Sequence, residues 1–251
     1  MYIRPVHAEH HLPTLHAFVR SNPLGILTTA IDSSSHHFLQ SSHIPWLLDD
    51  GGAQGLGVLR GHIARANPQA KVIIEELTNG PSQASAPRLQ KDVLVLFNGP
   101  AHHYVTPKFY TETKPSTGKV VPTWDYAAVQ VYGRATVYFD TTDPATDAYL
   151  TKQVSDLSQF AEGTLMGYNS PWKVSDAPSN YIELLKKAII GIEIEITDIA
   201  GRWKMGQELP EGDREGVVKG FEQLGTPVAQ IMAQTVRERA ELAEARKKAQ
   251  V

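Results

Sequence analysis

Cysteine is absent from the 251 residues, which excludes a disulfide framework, a thiol nucleophile and a thiolate metal centre. An excess of either charge is missing too: 24 Lys and Arg stand against 27 Asp and Glu, a formal net charge of −3. That balance argues against a broad nucleic-acid-binding surface, while leaving room for a local basic patch. No apolar run reaches membrane-spanning length, since Val93-Leu94-Val95-Leu96-Phe97 is only as long as a strand. The opening Met1-Tyr2-Ile3-Arg4-Pro5 lacks the apolar stretch of a secretion signal, so a cytoplasmic protein with no membrane partner is expected. What is present is an ordinary globular balance, 41% hydrophobic and 20% charged residues, which excludes wholesale disorder. The length suits one large domain, or one domain with a small appendage.

Catalytic signatures are as informative by omission. No Gly-x-Ser-x-Gly elbow, no Gly-x-Gly-x-x-Gly turn and no Walker-type loop occurs, so serine hydrolase, Rossmann and P-loop chemistries lack support. All ten histidines lie between His7 and His103, six of them as the adjacent pairs His10-His11, His36-His37 and His102-His103. Adjacent residues of a strand point to opposite faces, and no His-x-x-x-His pair carries a suitable glutamate. No dedicated metal site is expected, and haem ligation by a single histidine is a lesser alternative.

Periodicity predicts a helix over roughly 8–20, ended by Ser21-Asn22-Pro23, then strands at 24–31, 38–48 and 55–63. A helix follows at 70–77, a loop at 79–87, and strands at 92–97 and 101–106 separated by Asn98-Gly99-Pro100. Residues 111–122 read as irregular. From Tyr126 to Phe139, Val129, Val131, Ala135 and Val137 alternate with Gln130, Tyr132, Arg134, Thr136 and Tyr138, the mark of a strand with one buried face. Asp143-Pro144 opens a helix of about twenty residues, proline suiting a first turn. A second helix at 179–188, a strand at 190–199 and helices at 215–224 and 227–248 complete the chain. The last helix starts apolar (Val228, Ile231, Met232, Val236) and turns polar and alanine-rich, so its end is expected to fray and residues after about Ala240 to be dispensable for the fold. The whole reads as α+β, with antiparallel strands forming a barrel.

Three clusters remain for chemistry. At Gly61-His62-Ile63-Ala64-Arg65-Ala66-Asn67-Pro68-Gln69 a strand hands over to a helix. A helix N-terminus attracts phosphate through unpaired N–H groups, and Arg65 can add a planar clamp; equally, this is a capped helix with a solvated arginine. Val121-Pro122-Thr123-Trp124-Asp125-Tyr126 either walls a planar ligand or closes the core, which is the commoner use of aromatic residues. Gly201-Arg202-Trp203-Lys204-Met205-Gly206-Gln207 puts cationic and aromatic groups just past a strand, or is a solvated strand end with one buried ring.

Together with Met1-Tyr2-Ile3, Phe97-Asn98-Gly99-Pro100, Tyr104-Val105-Thr106-Pro107 and Val131-Tyr132-Gly133, these segments resemble, in order, the PaiB-type FMN-binding negative transcriptional regulators. Those belong to the pyridoxamine-phosphate-oxidase-like split-barrel flavoproteins. The resemblance spans most of residues 1–207 and implies a six-stranded antiparallel split barrel with flanking helices at 1–210, followed by a helical extension at 211–251. It implies a homodimer with FMN at the subunit interface. His62, Ile63, Ala64, Arg65 and Asn67 would face the phosphate, with Gln69 as a further contact. Ser42, His43 and Ile44 would lie along the ribityl chain and ring, and Trp124, Lys204 and Gln207 would reach the cofactor from the partner subunit. Asp125 stands where the family often has Asn, and Met205, Gly206 and Glu208 depart from its Lys-Leu-Ser-Gln-Asn pattern. A carboxylate facing phosphate or reduced flavin would repel it.

The function expected first is a flavin-dependent oxidoreductase of a small-molecule substrate. Asp125, His43 and His62 are proton-transfer candidates only through their nearness to the flavin, and no catalytic residue is assigned. The family name suggests, second, a regulator sensing flavin or redox state. No helix-turn-helix supports DNA as a partner, and Arg237, Arg239, Arg246, Lys247 and Lys248 are interleaved with Glu238, Glu241 and Glu244. A haem-binding or haem-degrading barrel is the third reading.

Overall fold

The computed structural model describes residues 1–79 and 87–248, so most of the loop expected at 79–87 lies outside the described residues. Its elements run β1 (Ala8–Glu9), α1 (Leu12–Ser21), β2 (Leu24–Ala30), β3 (Leu39–Pro45), β4 (Leu47–Asp49), β5 (Val58–Ala64), α2 (Pro68–Asn79) and β6 (Val93–Val105). They continue with α3 (Thr113–Thr117), β7 (Thr123–Tyr138), α4 (Pro144–Gln159), α5 (Ser179–Lys186), β8 (Ile189–Lys204), α6 (Glu211–Leu224) and α7 (Pro227–Lys248). Among the described residues no helix is long and apolar enough to cross a membrane.

The strand order is β3-β2-β6-β7-β8-β5-β4, with β1 added to β8, so the α+β antiparallel architecture stands but the sheet has eight strands rather than six. Part of the difference lies in short pieces: the strand expected at 38–48 is broken at Trp46 into β3 and β4. Conversely, the two strands expected at 92–97 and 101–106 are one, β6. Asn98-Gly99-Pro100 is no turn. A Cβ on Gly99 would sit 3.2 Å from the Ala127 carbonyl oxygen, so the glycine serves close approach of neighbouring backbone.

The chain forms two compact units, one of Met1–Phe18, Asn98–Gln130 and Ala200–Val251, the other of Val19–Phe97 and Val131–Ile199. In the second unit β2 pairs with β3 and β6, and β5 with β4 and β8, all antiparallel. Its strands curl because β3 returns to β5: a Cβ on Gly61 would lie 3.0 Å from the Ile44 side chain and 2.9 Å from the Trp46 ring. Trp46, Leu27, Ile44, Leu59, Val95, Phe97, Val137 and Ile192 fill the interior, and α2 turns Ala70, Val72, Ile73 and Leu77 inward. On the other face of β5 and β8 lies α4, whose Tyr149 stacks on Tyr138 at 4.0 Å and donates to the Ile192 carbonyl at 2.7 Å. Gly191 makes room for that ring, since a Cβ there would stand 2.3 Å from it. Beneath α4, Arg60 is held by Asp49 (2.5 Å), Asp156 (2.8 Å) and Gln153 (3.1 Å).

In the first unit α6 and α7 pack as a hairpin around Val217, Phe221, Ala229, Met232 and Val236. The end of α7 is not frayed within the described residues. Glu9, with its side chain 3% exposed, accepts from Arg239 at 2.7 Å and from Arg246 at 3.0 Å, while Arg214 reaches Glu244 at 3.1 Å. Arg239 also lies 4.0 Å over the Trp203 ring. Two side chains of this polar end, Glu244 and Arg246, are thus engaged in ion pairs.

Candidate functional site

Two groups of side chains carry the sequence-derived site residues, one in each unit, and each is described by itself. In the second unit β5 ends where Pro68 opens α2. Asn67 is the N-cap: its Oδ1 accepts the Gln69 N–H at 2.8 Å and its Nδ2 donates to Ser42 Oγ at 3.0 Å. Gln69, buried, donates through Nε2 to Thr29 Oγ1 at 3.0 Å and to the carbonyls of Gln40 (3.1 Å) and Leu27 (3.3 Å). It therefore ties α2 to β2 and β3. Arg65 is half-buried and tied to the chain: it donates to the carbonyls of Phe139 at 2.6 Å, Lys187 at 3.2 Å and Ile189 at 3.5 Å. Among the described residues no carboxylate forms an ion pair with it. A fixed cation thus stands beside the positive end of a twelve-residue helix, near enough to the exposed Asp140 to help lower that carboxyl.

Ser42, Asn67 and Gln69 are thereby brought together, while Arg65, two residues before Asn67, is bonded elsewhere; the half-buried Ser42 and buried Ile44 share one face of β3. His43 projects to the exposed face of that strand, and Ala64 is exposed at the end of β5. His62 and Ile63 point to opposite sides, as strand neighbours must. Ile63 belongs to the core, whereas His62 lines a cavity with α4 and α5. That separates His62 from the rest of the expected phosphate set.

In the first unit, the start of β7 and the end of β8 meet. Lys204 Nζ donates to Thr123 Oγ1, to the Trp124 carbonyl at 2.8 Å and to Asp125 Oδ1 at 3.4 Å. Asp125 is 2% exposed, and burial pushes its carboxyl up to about 6, against the pull of Lys204 and with help from the Glu208 charge. Burial and the same Asp125 charge also raise the Tyr110 hydroxyl. Trp124 is 50% exposed, its Nε1 donating to His102 Nδ1 at 3.1 Å and its ring 6.3 Å from that of Tyr104. A cavity of about 300 Å³ opens here between Arg4, Tyr110, Val121, Asp125, Lys204 and Glu208. Gln207 does not face it freely: its Oε1 accepts the Met205 N–H at 2.9 Å and its Nε2 donates to the Trp203 carbonyl at 2.6 Å. Those bonds close the turn that Gly206, at φ +69°, makes possible. Glu208 is held by His7 at 2.8 Å and Arg4 at 3.4 Å; burial would raise its carboxyl, but the His7 bond keeps it low and ionised. The anchoring residues His7 and Glu9 escaped the sequence reading because their partners lie about 200 residues away or more, beyond any local pattern.

Residues 1–198 match the family described as "Putative FMN-binding domain". The chain belongs to this FMN-binding domain family. An uncharacterized protein of Aspergillus fumigatus is 55% identical, with 96% of this chain and 98% of the relative covered. The protease synthase and sporulation protein PAI 2 of Bacillus subtilis is 26% identical over 72% of each chain. Among solved structures, the flavocytochrome Anf3 of Azotobacter vinelandii superposes with a TM-score of 0.47 at 10% identity, over 82% of this chain and 73% of that one. Within the FMN-binding domain match fall the whole Ser42-to-Gln69 group and Trp124, whereas Lys204 and Gln207 lie past its end.

Proposed function

We propose that this member of the FMN-binding domain family binds FMN as a homodimer and acts as a flavin-dependent oxidoreductase. One observation in the structure carries the reading: Arg65, fixed by three backbone carbonyls and, among the described residues, in no direct ion pair although Asp140 is near enough to feel its charge, stands at the start of α2. Asn67 already caps that helix, so the cation rather than free N–H groups supplies most of the attraction for a phosphate. Ser42 and Asn67 would line the adjoining ribityl chain, with Ile44 and Ile63 backing the site. Trp124 and Lys204 would complete it from the second copy. The half-exposed Trp124 and Tyr104 and the largely exposed Val121, apolar groups at the surface of the first unit, support a partner covering that face.

Bound FMN would supply hydride or electron transfer, and the chain's own residues supply binding, orientation and proton handling. Asp125 is the side chain suited to the last task, because a carboxyl titrating at about 6 exists in both forms near neutrality. Lys204 offsets its charge, which removes much of the repulsion expected from a carboxylate at this position. The regulator reading gains nothing from α7, where Arg237 is paired with Glu222 and both Arg239 and Arg246 with Glu9.

Calorimetric titration with FMN and with riboflavin tests the phosphate role. Arg65→Ala is expected to weaken FMN about tenfold or more, while riboflavin affinity changes little. Equal losses for both ligands would remove Arg65 from the phosphate site. Turnover with a reduced nicotinamide, assayed on the same protein, checks the oxidoreductase step.

A further inference from the structure

The cavity of about 300 Å³ in the first unit is more than a gap beside Lys204. Its volume stands at the lower end of small-molecule sites. Two of its walls are polar side chains that the chain leaves unsatisfied. Asp125, 2% exposed, uses only Oδ1, on Lys204, and its Oδ2 has no partner among the described residues. Tyr110, 6% exposed, likewise has no partner for its hydroxyl among those residues. Neither oxygen is sealed in, so a molecule in the cavity can reach both. A polar atom in a buried wall is destabilising while unbonded, and a ligand that bonds it removes that penalty. Val105, Val120, Val121 and Leu209 supply apolar contact around the pair.

We propose that this cavity binds a small neutral molecule through a primary carboxamide, whose N–H donates to Asp125 Oδ2 and whose carbonyl accepts from the Tyr110 hydroxyl. Charge decides for a neutral group. The wall holds three cations, Arg4, Lys119 and Lys204, against three carboxylates, Asp125, Glu208 and Asp213. All but the exposed Lys119 are engaged within the chain: Arg4 with Glu208, Lys204 with Asp125, and Asp213 with the N–H groups of Glu112 and Thr113. An ammonium on Asp125 would meet the charge of Lys204, and a carboxylate there would meet those of Asp125 and Glu208. Hydrogen bonding decides for the carboxamide. An ionised carboxylate only accepts, whereas the Tyr110 hydroxyl, which burial keeps protonated, can donate. The two side chains are not bonded to each other, so a group with its donor and acceptor on separate atoms suits them better than a single hydroxyl. The proposal rests on the flavin reading for the reaction, in which this molecule is the substrate, but not for the binding.

The test is isothermal titration of the full chain at pH 8, where Asp125 is ionised, with benzamide and its two charged isosteres, benzoate and benzamidine. Benzamide is expected to bind at one site per chain, about tenfold more tightly than either. Tyr110→Phe keeps the ring and should weaken benzamide about tenfold. Asp125→Asn removes the charge that rejects benzoate and should bring the two affinities together or invert them. Either variant decides if the other fails to fold, as monitored by circular dichroism. No saturable binding of benzamide to the wild-type chain overturns the proposal. So does tightest binding by benzoate or benzamidine, or a benzamide affinity that Tyr110→Phe leaves unchanged. FMN is titrated in parallel: benzamide bound by a chain that ignores FMN contradicts the flavin reading alone, and the converse contradicts this proposal alone.

Discussion

At Asp125 burial raises the carboxyl pKa and Lys204, 3.4 Å away, pulls it down; burial prevails, and the group titrates at about 6 instead of 3.8. The folded chain therefore holds this proton more tightly than the unfolded chain does. Its contribution to stability is full below about 3.8 and is lost as pH rises through about 6. Asp125→Asn removes the penalty, so at pH 8 it should stabilise the protein by on the order of 1–3 kcal/mol and at pH 4 leave it nearly unchanged. Melting temperatures at the two pH values check this, and an equal change at both would refute the assignment. Glu9 has the opposite sign. Burial would raise its carboxyl, but the His11 N–H, Arg239 and Arg246 hold it low and ionised. Glu9→Ala leaves Arg239, largely buried against Trp203, without its counter-ion and should cost about 3 kcal/mol in urea unfolding.

The elements show which patterns a sequence discloses and which it hides. Alternation in β7 and the Asp143-Pro144 start of α4 are local signals, and both elements lie where those signals put them. The continuity of β6 through Asn98-Gly99-Pro100 was not legible, because a glycine required for close backbone approach looks identical to a glycine required for a turn. The Arg65-to-Gln69 segment was legible as a strand-to-helix junction, while the carbonyls that fix Arg65 come from positions 139, 187 and 189 and leave no trace nearby. For α7 the same blindness had a consequence: a polar, alanine-rich end read as dispensable is tied to Glu9 and Arg214. Those pairs are half-exposed, so truncation after Ala240 should preserve the fold and lower stability by about 1 kcal/mol. A loss several times larger in chemical denaturation would mean that the end of α7 contributes packing as well as ion pairs.

For the whole molecule, the family match covers residues 1–198, and the structure adds a fixed cation beside a helix start in one unit and a half-exposed indole beside a buried acid–lysine pair in the other. The two groups therefore predict separable losses on mutation: FMN with Arg65 and pH response with Asp125. The most direct measurement of the central claim is the absorption spectrum of the protein purified without added cofactor, followed by titration with FMN. Flavin bands approaching one FMN per chain, diminished in Arg65→Ala, are the expected result; a colourless protein that gives no saturable response to FMN would contradict it.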